Sequence, residues 1–134
     1  MSKSRPLIAV VDDEESVAKA LNRLLRSAGL DAETFTSGRK FLHSLQDHPP
    51  DCVVLDLHMP EVDGFEVLSQ LAQTPAQVPV VVISGRDTLR ARERAIVGGA
   101  TAYLRKPVDG QALLDAIAVA IAHGDLANER FILP

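Results

Sequence analysis

Five polar residues that could carry chemistry stand at the ends of short apolar runs in this 134-residue sequence. They are Asp12, Asp13, Asp56, Ser84 and Lys106. If they converge, the three carboxylates repel one another, and a nearby cation relieves that repulsion. Oxygen-only ligands suit Mg²⁺ better than zinc, which prefers His and Cys. Beside such a cation, an ionised aspartate can act as a nucleophile and form a covalent acyl phosphate.

Asp56 is the candidate for that nucleophile. It ends the apolar run Cys52–Leu55, which predicts a short strand buried on both faces. Lys106 would bring positive charge to a transferring phosphoryl group, and Ser84 would donate a hydrogen bond to one of its oxygens. Each residue alone has an ordinary explanation as a turn, cap or surface residue. Their joint occurrence at four strand ends favours the chemical interpretation.

The elements that must position these residues alternate along the chain. Five strand-like runs and five stretches of helical spacing predict one α/β unit, a doubly wound parallel sheet with helices on both faces. The strands are predicted at Leu7–Val11, Ala32–Phe35, Cys52–Asp56, Val80–Ser84 and Thr101–Arg105. Right-handed crossovers then bring the carboxyl ends of the strands to one edge, where ligands bind in such sheets.

Helix boundaries are predicted from capping residues and glycines. Gly29 ends the first helix and Ser37 caps the second. The fourth helix is predicted over Asp87–Val97, and the fifth begins after Asp109 and stops before Gly124. The fourth helix is rich in arginine, which indicates either a solvated face or a face that contacts a partner.

Composition limits the classes of protein that the chain can belong to. The length and the 46% hydrophobic content fit one globular domain. A net charge of −4 and a pI near 5.5 argue against direct binding of nucleic acid. The single cysteine, Cys52, allows no disulfide framework and indicates a reducing compartment. The first apolar run is too short for export or for a membrane span, so we expect a cytoplasmic protein.

Four motifs together resemble the receiver domain of two-component response regulators, over positions 6 to 124. The motifs are Val10-Val11-Asp12-Asp13-Glu14, Leu55-Asp56-Leu57-His58-Met59-Pro60 through Asp63-Gly64, Ile83-Ser84-Gly85, and Tyr103-Leu104-Arg105-Lys106-Pro107. The resemblance implies a flavodoxin-like strand order 2-1-3-4-5. It also implies that Asp56 accepts a phosphoryl group from a sensor histidine kinase or a phosphotransfer protein. Residues 125 to 134 would then be a tail or the start of a linker.

The resemblance also implies roles for the residues around Asp56. Mg²⁺ would be held by Asp13, Asp56 and the backbone carbonyl of His58, with Asp12 acting through water. The hydroxyl of Ser84 would swing to the new phosphoryl group. These roles imply a protein that catalyses only its own phosphorylation and dephosphorylation.

A second group of residues would transmit the signal and set its duration. The aromatic ring of Tyr103 would turn inward, altering the face formed by the fourth helix, fifth strand and fifth helix for a protein target or a homodimer. The Lys106-Pro107 bond is expected to be cis. His58 and Arg86, two residues beyond Asp56 and Ser84, would tune the lifetime of the acyl phosphate.

Two other interpretations remain open at the level of the sequence. A phosphatase of the haloacid-dehalogenase type also uses an aspartate nucleophile with Mg²⁺ and a lysine, but that family has a second aspartate where this chain has His58. A degenerate receiver would bind partners without phosphorylation. An output domain is absent from the sequence, so the chain is predicted to be either a stand-alone receiver or part of a longer regulator.

Overall fold

The computed structural model describes residues 5–132, with side chains described for residues 5–123. Strands and helices alternate throughout. The strands are β1 (Leu7–Val11), β2 (Asp31–Phe35), β3 (Cys52–Asp56), β4 (Val80–Ser84) and β5 (Ala102–Arg105). The helices are α1 (Glu15–Ser27), α2 (Gly38–Ser44), α3 (Gly64–Ala72), α4 (Leu89–Val97) and α5 (Gly110–Ile132).

The five strands form one parallel sheet in the order β2-β1-β3-β4-β5. This is the flavodoxin-like doubly wound arrangement, and the predicted fold class and strand order are confirmed. Strands β3 and β4 are buried at every position because they lie inside the sheet with helices on both faces. The edge strand β2 instead exposes Glu33 and Thr34.

The core consists of two layers, one on each face of the sheet. Val53 and Leu55 of β3 pack with the apolar residues of α3 on one face. Val54, the residue between them, packs with α1 and α5 on the other face. Because successive side chains of a strand point to opposite faces, a strand buried on both faces must be apolar throughout. This explains why the central runs have no polar residue before their last position.

The predicted helix boundaries are confirmed at three places. Ser37 accepts a hydrogen bond from Lys40 N at 3.3 Å, and Asp109 accepts one from Ala112 N at 2.9 Å. After α1 the backbone reverses at Gly29, whose φ of 86° falls in the left-handed region that glycine tolerates.

Strands β2 and β5 each begin one residue away from the predicted start. Two predicted helix boundaries are wrong. The fourth helix begins at Leu89 rather than Asp87, because Thr88 is the cap and accepts from Ala91 N at 3.0 Å. The fifth helix does not stop before Gly124 and extends to Ile132. A single glycine inside a helix costs only about 1 kcal/mol relative to alanine, so it does not by itself end a helix.

Candidate phosphoacceptor site

Strand pairing brings the first acids together. Val11 of β1 lies beside Leu55 of β3, so the residues that follow them, Asp12 and Asp56, are neighbours at the carboxyl edge of the sheet. Both side chains are buried. One carboxylate oxygen from each of Asp12, Asp13 and Asp56 lies within 4.8 Å of the others. The three acids therefore converge as the alternation of strands and helices predicted.

The loop after Asp56 is shaped by a close approach of helix α3. Gly64 N donates a hydrogen bond to Leu57 O at 2.9 Å. A Cβ atom at Gly64 would collide with the backbone of Asp56 and Leu57, so only glycine fits there without a shift. His58 N donates to Asp56 Oδ1 at 3.3 Å, which holds the carboxylate toward the loop.

Lys106 enters the same cluster from the end of strand β5. Its Nζ lies 3.0 Å from Asp12 Oδ2 and 3.6 Å from Asp56 Oδ1. Glu14 completes the surroundings, with its Oε1 at 3.1 Å from Nζ. The Lys106-Pro107 peptide bond is cis, as expected. One ammonium thus touches three carboxylates, two of them on buried side chains.

Burial dominates the electrostatics of the cluster. It raises the pKa of Asp56 to about 6, and the charge of Asp12 adds to the rise while Lys106 opposes it. Burial likewise raises the pKa of Asp12 above its usual value. Burial alone would lower the pKa of Lys106, but the neighbouring carboxylates of Asp12, Glu14 and Asp56 outweigh burial, and the pKa is raised. The lysine is therefore charged at neutral pH.

The donor set of the cluster fits a hard divalent cation. Asp12, Asp13 and Asp56 offer only oxygen atoms. Asp12 Oδ2 is buried and accepts no hydrogen bond of good geometry, although Lys106 Nζ lies within ion-pair distance of it. These oxygens match the preference of Mg²⁺ rather than that of zinc.

Ser84 lies at the same edge but is bonded away from the acids. It is fully buried, and its Oγ donates to Arg86 O at 3.2 Å and accepts from Arg86 N at 3.1 Å. The hydroxyl thus holds the loop between β4 and α4 in place.

Tyr103 is buried at 9% exposure and packs in the core layer beneath α4. Its ring lies under Arg92, whose Cζ is 4.9 Å from the ring centre.

His58 and Arg86 lie near the acids. None of the described contacts joins either of their side chains to a carboxylate of the cluster. Together with Asp63, Phe65 and Arg94 they line a cavity that also contacts Leu57, the residue after Asp56. Burial lowers the pKa of His58, and the charge of Arg86 lowers it further. A neutral imidazole and a guanidinium therefore both line this cavity.

Two contacts of the site were not predicted from the sequence. Glu14 pairs with Lys106, and Arg92 covers Tyr103. Glu14 stands within the first acidic motif, which is a signal that could have pointed to it. For Arg92 the basic helix gave only a general hint, since helical spacing does not say which guanidinium lies over which ring.

The fold and the site define a class of protein: an α/β protein with an acidic pocket and a lysine at the carboxyl edge of a doubly wound sheet. The family model described as "Response regulator receiver domain" matches residues 8–118. The chain therefore belongs to the response regulator receiver domain family of two-component signalling, as the sequence resemblance indicated. This is a family of signalling proteins rather than ordinary enzymes, and the haloacid-dehalogenase alternative is not favoured.

Individual relatives agree with this membership. The chain is 36% identical over 121 residues to the response regulator protein TodT of Pseudomonas putida, covering 90% of this chain and 53% of TodT. It is 35% identical to the DNA-binding transcriptional regulator NtrC of Escherichia coli, covering 89% of this chain and 25% of NtrC. The solved structure of the response regulator StyR superimposes with a TM-score of 0.80 at 37% identity, covering 95% of this chain and 66% of StyR.

The chain thus spans about half the length of TodT. Among the residues that the structure describes, no helix is long and apolar enough to cross a membrane.

Proposed function

We propose that this chain is a phosphorylation-dependent switch in which Asp56 accepts a phosphoryl group from a sensor histidine kinase or a phosphotransfer protein. The observation that supports the proposal most is the convergence of three carboxylates within 4.8 Å, with the ammonium of Lys106 3.6 Å from Asp56 Oδ1. Acids and a cation arranged in this way suit the stabilisation of charge during phosphoryl transfer.

In the proposed step a carboxylate oxygen of Asp56 forms a bond to phosphorus while the bond from phosphorus to the donor imidazole nitrogen breaks. The imidazole leaves with that electron pair and takes up a proton. Mg²⁺, held by Asp13, Asp56 and the backbone carbonyl of His58, with Asp12 acting through water, would supply positive charge to the phosphoryl oxygens. Lys106 supplies a second positive charge from the side of β5.

The signal then passes through Ser84 and Tyr103. Once Asp56 carries a phosphoryl group, Ser84 exchanges its bonds with Arg86 for a hydrogen bond to a phosphoryl oxygen. Tyr103 packs against α4, so a change in the loop before α4 alters the face formed by α4, β5 and α5. That face would bind a protein target, an output domain or a second copy of the chain.

The proposal also covers the extent of the domain, its partners and its compartment. Positions 6–124 would form the receiver, and residues 125–134 a tail or a linker. The acidic net charge of −4 makes direct nucleic-acid binding by this chain unfavourable, so any effect on DNA would require a separate output domain. The compartment would be the cytoplasm, where Cys52 stays reduced.

Uptake of phosphate from a small donor tests the proposal. The protein is incubated with Mg²⁺ and acetyl phosphate, and the acid-stable, base-labile phosphate is located by peptide mapping. Wild type and Asp115→Asn, which changes an exposed aspartate of α5, should accumulate phosphate on Asp56, whereas Asp56→Asn should take up none. Rapid release of inorganic phosphate without accumulation would favour a phosphatase, and no uptake by wild type would favour a degenerate receiver.

A further inference from the structure

A cleft with two lobes lies between helices α3 and α4. Its upper lobe is the cavity that His58 lines, with a volume of about 500 Å³. Its lower lobe has a volume of about 480 Å³ and lies further along the helices, between Leu68 and Val97. Phe65 of α3 and Arg94 of α4 line both lobes, so the lobes are continuous. Together they form what we call the α3–α4 cleft.

The α3–α4 cleft is on the other side of α4 from strand β5. Arg92 lies over the ring of Tyr103 on β5. Arg94 instead stacks on the ring of Phe65 on α3, with its Cζ 3.9 Å from the ring centre. Two steps along an α-helix turn the side chain by about 200°. The arginine-rich helix therefore has two basic sides, and only one of them belongs to the face formed by α4, β5 and α5.

The upper lobe has positive charges without acidic partners. Among the described residues, neither the guanidinium of Arg86 nor that of Arg94 makes an ion pair. Asp63 also lines this lobe, but its carboxylate caps α3 and accepts a hydrogen bond from Glu66 N at 3.0 Å. Two guanidiniums and one carboxylate leave the lobe with a net positive charge, although the whole chain carries −4. An anionic ligand is therefore favoured here.

Each lobe also exposes a group that would gain from a ligand. In the upper lobe, Nε2 of His58 is buried and has no hydrogen-bond partner within the described part of the chain. A buried polar atom without a partner is unfavourable, so a ligand that bonds to it lowers the free energy. In the lower lobe, Val97 is 88% exposed, more than any other large apolar side chain that the structure describes. An apolar ligand group would remove that surface from water.

The length of the cleft fits a short stretch of polypeptide. The cleft follows α3, whose 9 residues span about 13 Å. An extended chain covers about 3.3 Å per residue, so about four residues of a partner would fill both lobes. A small free anion would occupy the upper lobe only and leave Val97 exposed. The two lobes together therefore favour a peptide segment with both a carboxylate and an apolar side chain.

We propose that the α3–α4 cleft binds an extended acidic segment of a partner protein. A carboxylate of the segment pairs with Arg86 and Arg94 and accepts a hydrogen bond from Nε2 of His58, since a neutral imidazole can carry its proton there. An apolar side chain of the segment packs against Leu68 and Val97. This interaction goes beyond the proposed function and does not depend on phosphorylation of Asp56.

Peptide binding followed by NMR tests the proposal. The probe is a blocked peptide Glu-Ala-Leu-Ala-Glu, which when extended puts its glutamates and its leucine on one side in either chain direction. A neutral counterpart has glutamine in place of both glutamates. The full chain, labelled with nitrogen-15 and without phosphodonor, is titrated with each peptide at low salt. The neutral peptide should bind roughly ten-fold more weakly. The glutamate peptide should shift the amide signals of His58, Phe65, Arg94 and Val97.

Two substitutions in the cleft should weaken binding of the glutamate peptide. Arg94→Gln removes the guanidinium shared by the lobes and should weaken binding roughly three-fold to ten-fold. Val97→Asp places a negative charge in the lower lobe and should weaken binding roughly ten-fold. Both side chains are exposed, so the variants should fold, and the amide spectrum verifies this. Arg23→Gln, the same change of charge at an exposed position of α1, is the matched control and should bind like wild type.

The contrary results are equally specific. Equal binding of the glutamate and glutamine peptides would overturn an acidic segment as the occupant. Amide shifts confined to α1 or α5, or equal weakening in Arg23→Gln and Arg94→Gln, would overturn the cleft as the binding site. Butyrate that binds as tightly as the peptide would assign the upper lobe to small carboxylates instead. Wild type that binds neither peptide would refute the proposal as a whole.

Discussion

Strand β3 has a buried ionisable group at each end, and the two ends behave differently. At its start, burial raises the pKa of the Cys52 thiol to about 12, so the thiol stays neutral and packs as a small apolar residue. At its end, burial raises the pKa of Asp56 to about 6, and the carboxylate remains mostly ionised at neutral pH. Burial suppresses charge at both ends. The difference is that Asp56 starts from a lower value and has an ammonium beside it.

The two buried groups of β3 differ in the neighbours that surround them. Cys52 lies among apolar residues on one face of the sheet, and no cation is placed near it in the described part of the chain. Asp56 lies where the carboxyl ends of parallel strands open to loops, so other strands can contribute groups to it. The same strand therefore buries a neutral thiol in the core and presents the proposed nucleophile at the edge.

Removing the cation at the reactive end should have the largest effect. Lys106→Met deletes the ammonium that lies 3.6 Å from Asp56 Oδ1. We expect the rate of phosphate uptake from acetyl phosphate to fall by roughly 100-fold, as when a group that stabilises developing charge is removed. Lys40→Met, which changes an exposed lysine of α2, is the control and should react at the wild-type rate. Uptake by Lys106→Met at an unchanged rate would remove the lysine from the mechanism.

Neutralising the carboxylate should stabilise the metal-free protein at neutral pH. The rise of the Asp56 pKa from 3.8 to about 6 corresponds to about 3 kcal/mol. Because the folded state binds this proton more tightly than the unfolded chain, the penalty is absent below pH 3.8 and complete above pH 6. The unfolding free energy of Asp56→Asn should exceed that of wild type by up to about 3 kcal/mol at pH 7.

Denaturant titrations of wild type and Asp56→Asn between pH 4 and pH 7, without divalent cations, measure this difference. It should shrink as the pH falls. A difference that is constant over this range would show that the carboxylate does not titrate with a raised pKa.

A change at the inert end should affect stability and leave the chemistry unchanged. Cys52→Ser places a hydroxyl in an apolar layer, where it costs about 1 to 3 kcal/mol of unfolding free energy. Cys52→Ala leaves only a small gap and should cost less. Both variants, once folded, should take up phosphate at the wild-type rate. Slower uptake by folded Cys52→Ala would mean that the two ends of β3 are not independent.

The smallest effect is expected at the flanks of the reactive end. His58 and Arg86 line the cavity that also contacts Leu57, the residue after Asp56. Their proposed role is to control the approach of water to the acyl phosphate. We expect that replacing both with alanine changes the lifetime of the phosphorylated protein by roughly 3-fold to 10-fold, corresponding to about 1 kcal/mol. Hydrolysis of the isolated phosphoprotein after removal of the donor gives this lifetime. An unchanged lifetime would refute the tuning role.

The sequence was sufficient to predict where the strands end, and hence which residues meet. Parallel strands put their carboxyl ends at one edge, so Asp12, Asp56 and Lys106 could be placed together from strand assignments alone. The sequence could not show that Lys106 also pairs with Glu14, or that Ser84 bonds to Arg86. These contacts depend on side-chain rotamers and on loop conformation, which no periodicity encodes.

The two wrong helix boundaries have a similar origin. Asp87 and Thr88 are both good capping residues, and only the ion pairs of Asp87 with Arg92 and Arg105 show that its side chain serves elsewhere. Gly124 is a weak signal for the end of a helix. One glycine destabilises a helix by only about 1 kcal/mol relative to alanine, and other interactions can offset that cost. Local signals therefore locate elements well and their ends less well.

The most direct test is a carbon-13 NMR titration of the Asp56 carboxyl group, assigned by comparison with Asp56→Asn. In metal-free wild type the group should titrate with a midpoint of about 6. Addition of Mg²⁺ should move the midpoint down toward or below the usual value of 3.8, because a bound cation favours the ionised form. A metal-free midpoint near 3.8, or a midpoint that does not respond to Mg²⁺, would contradict the buried, cation-dependent nucleophile described above.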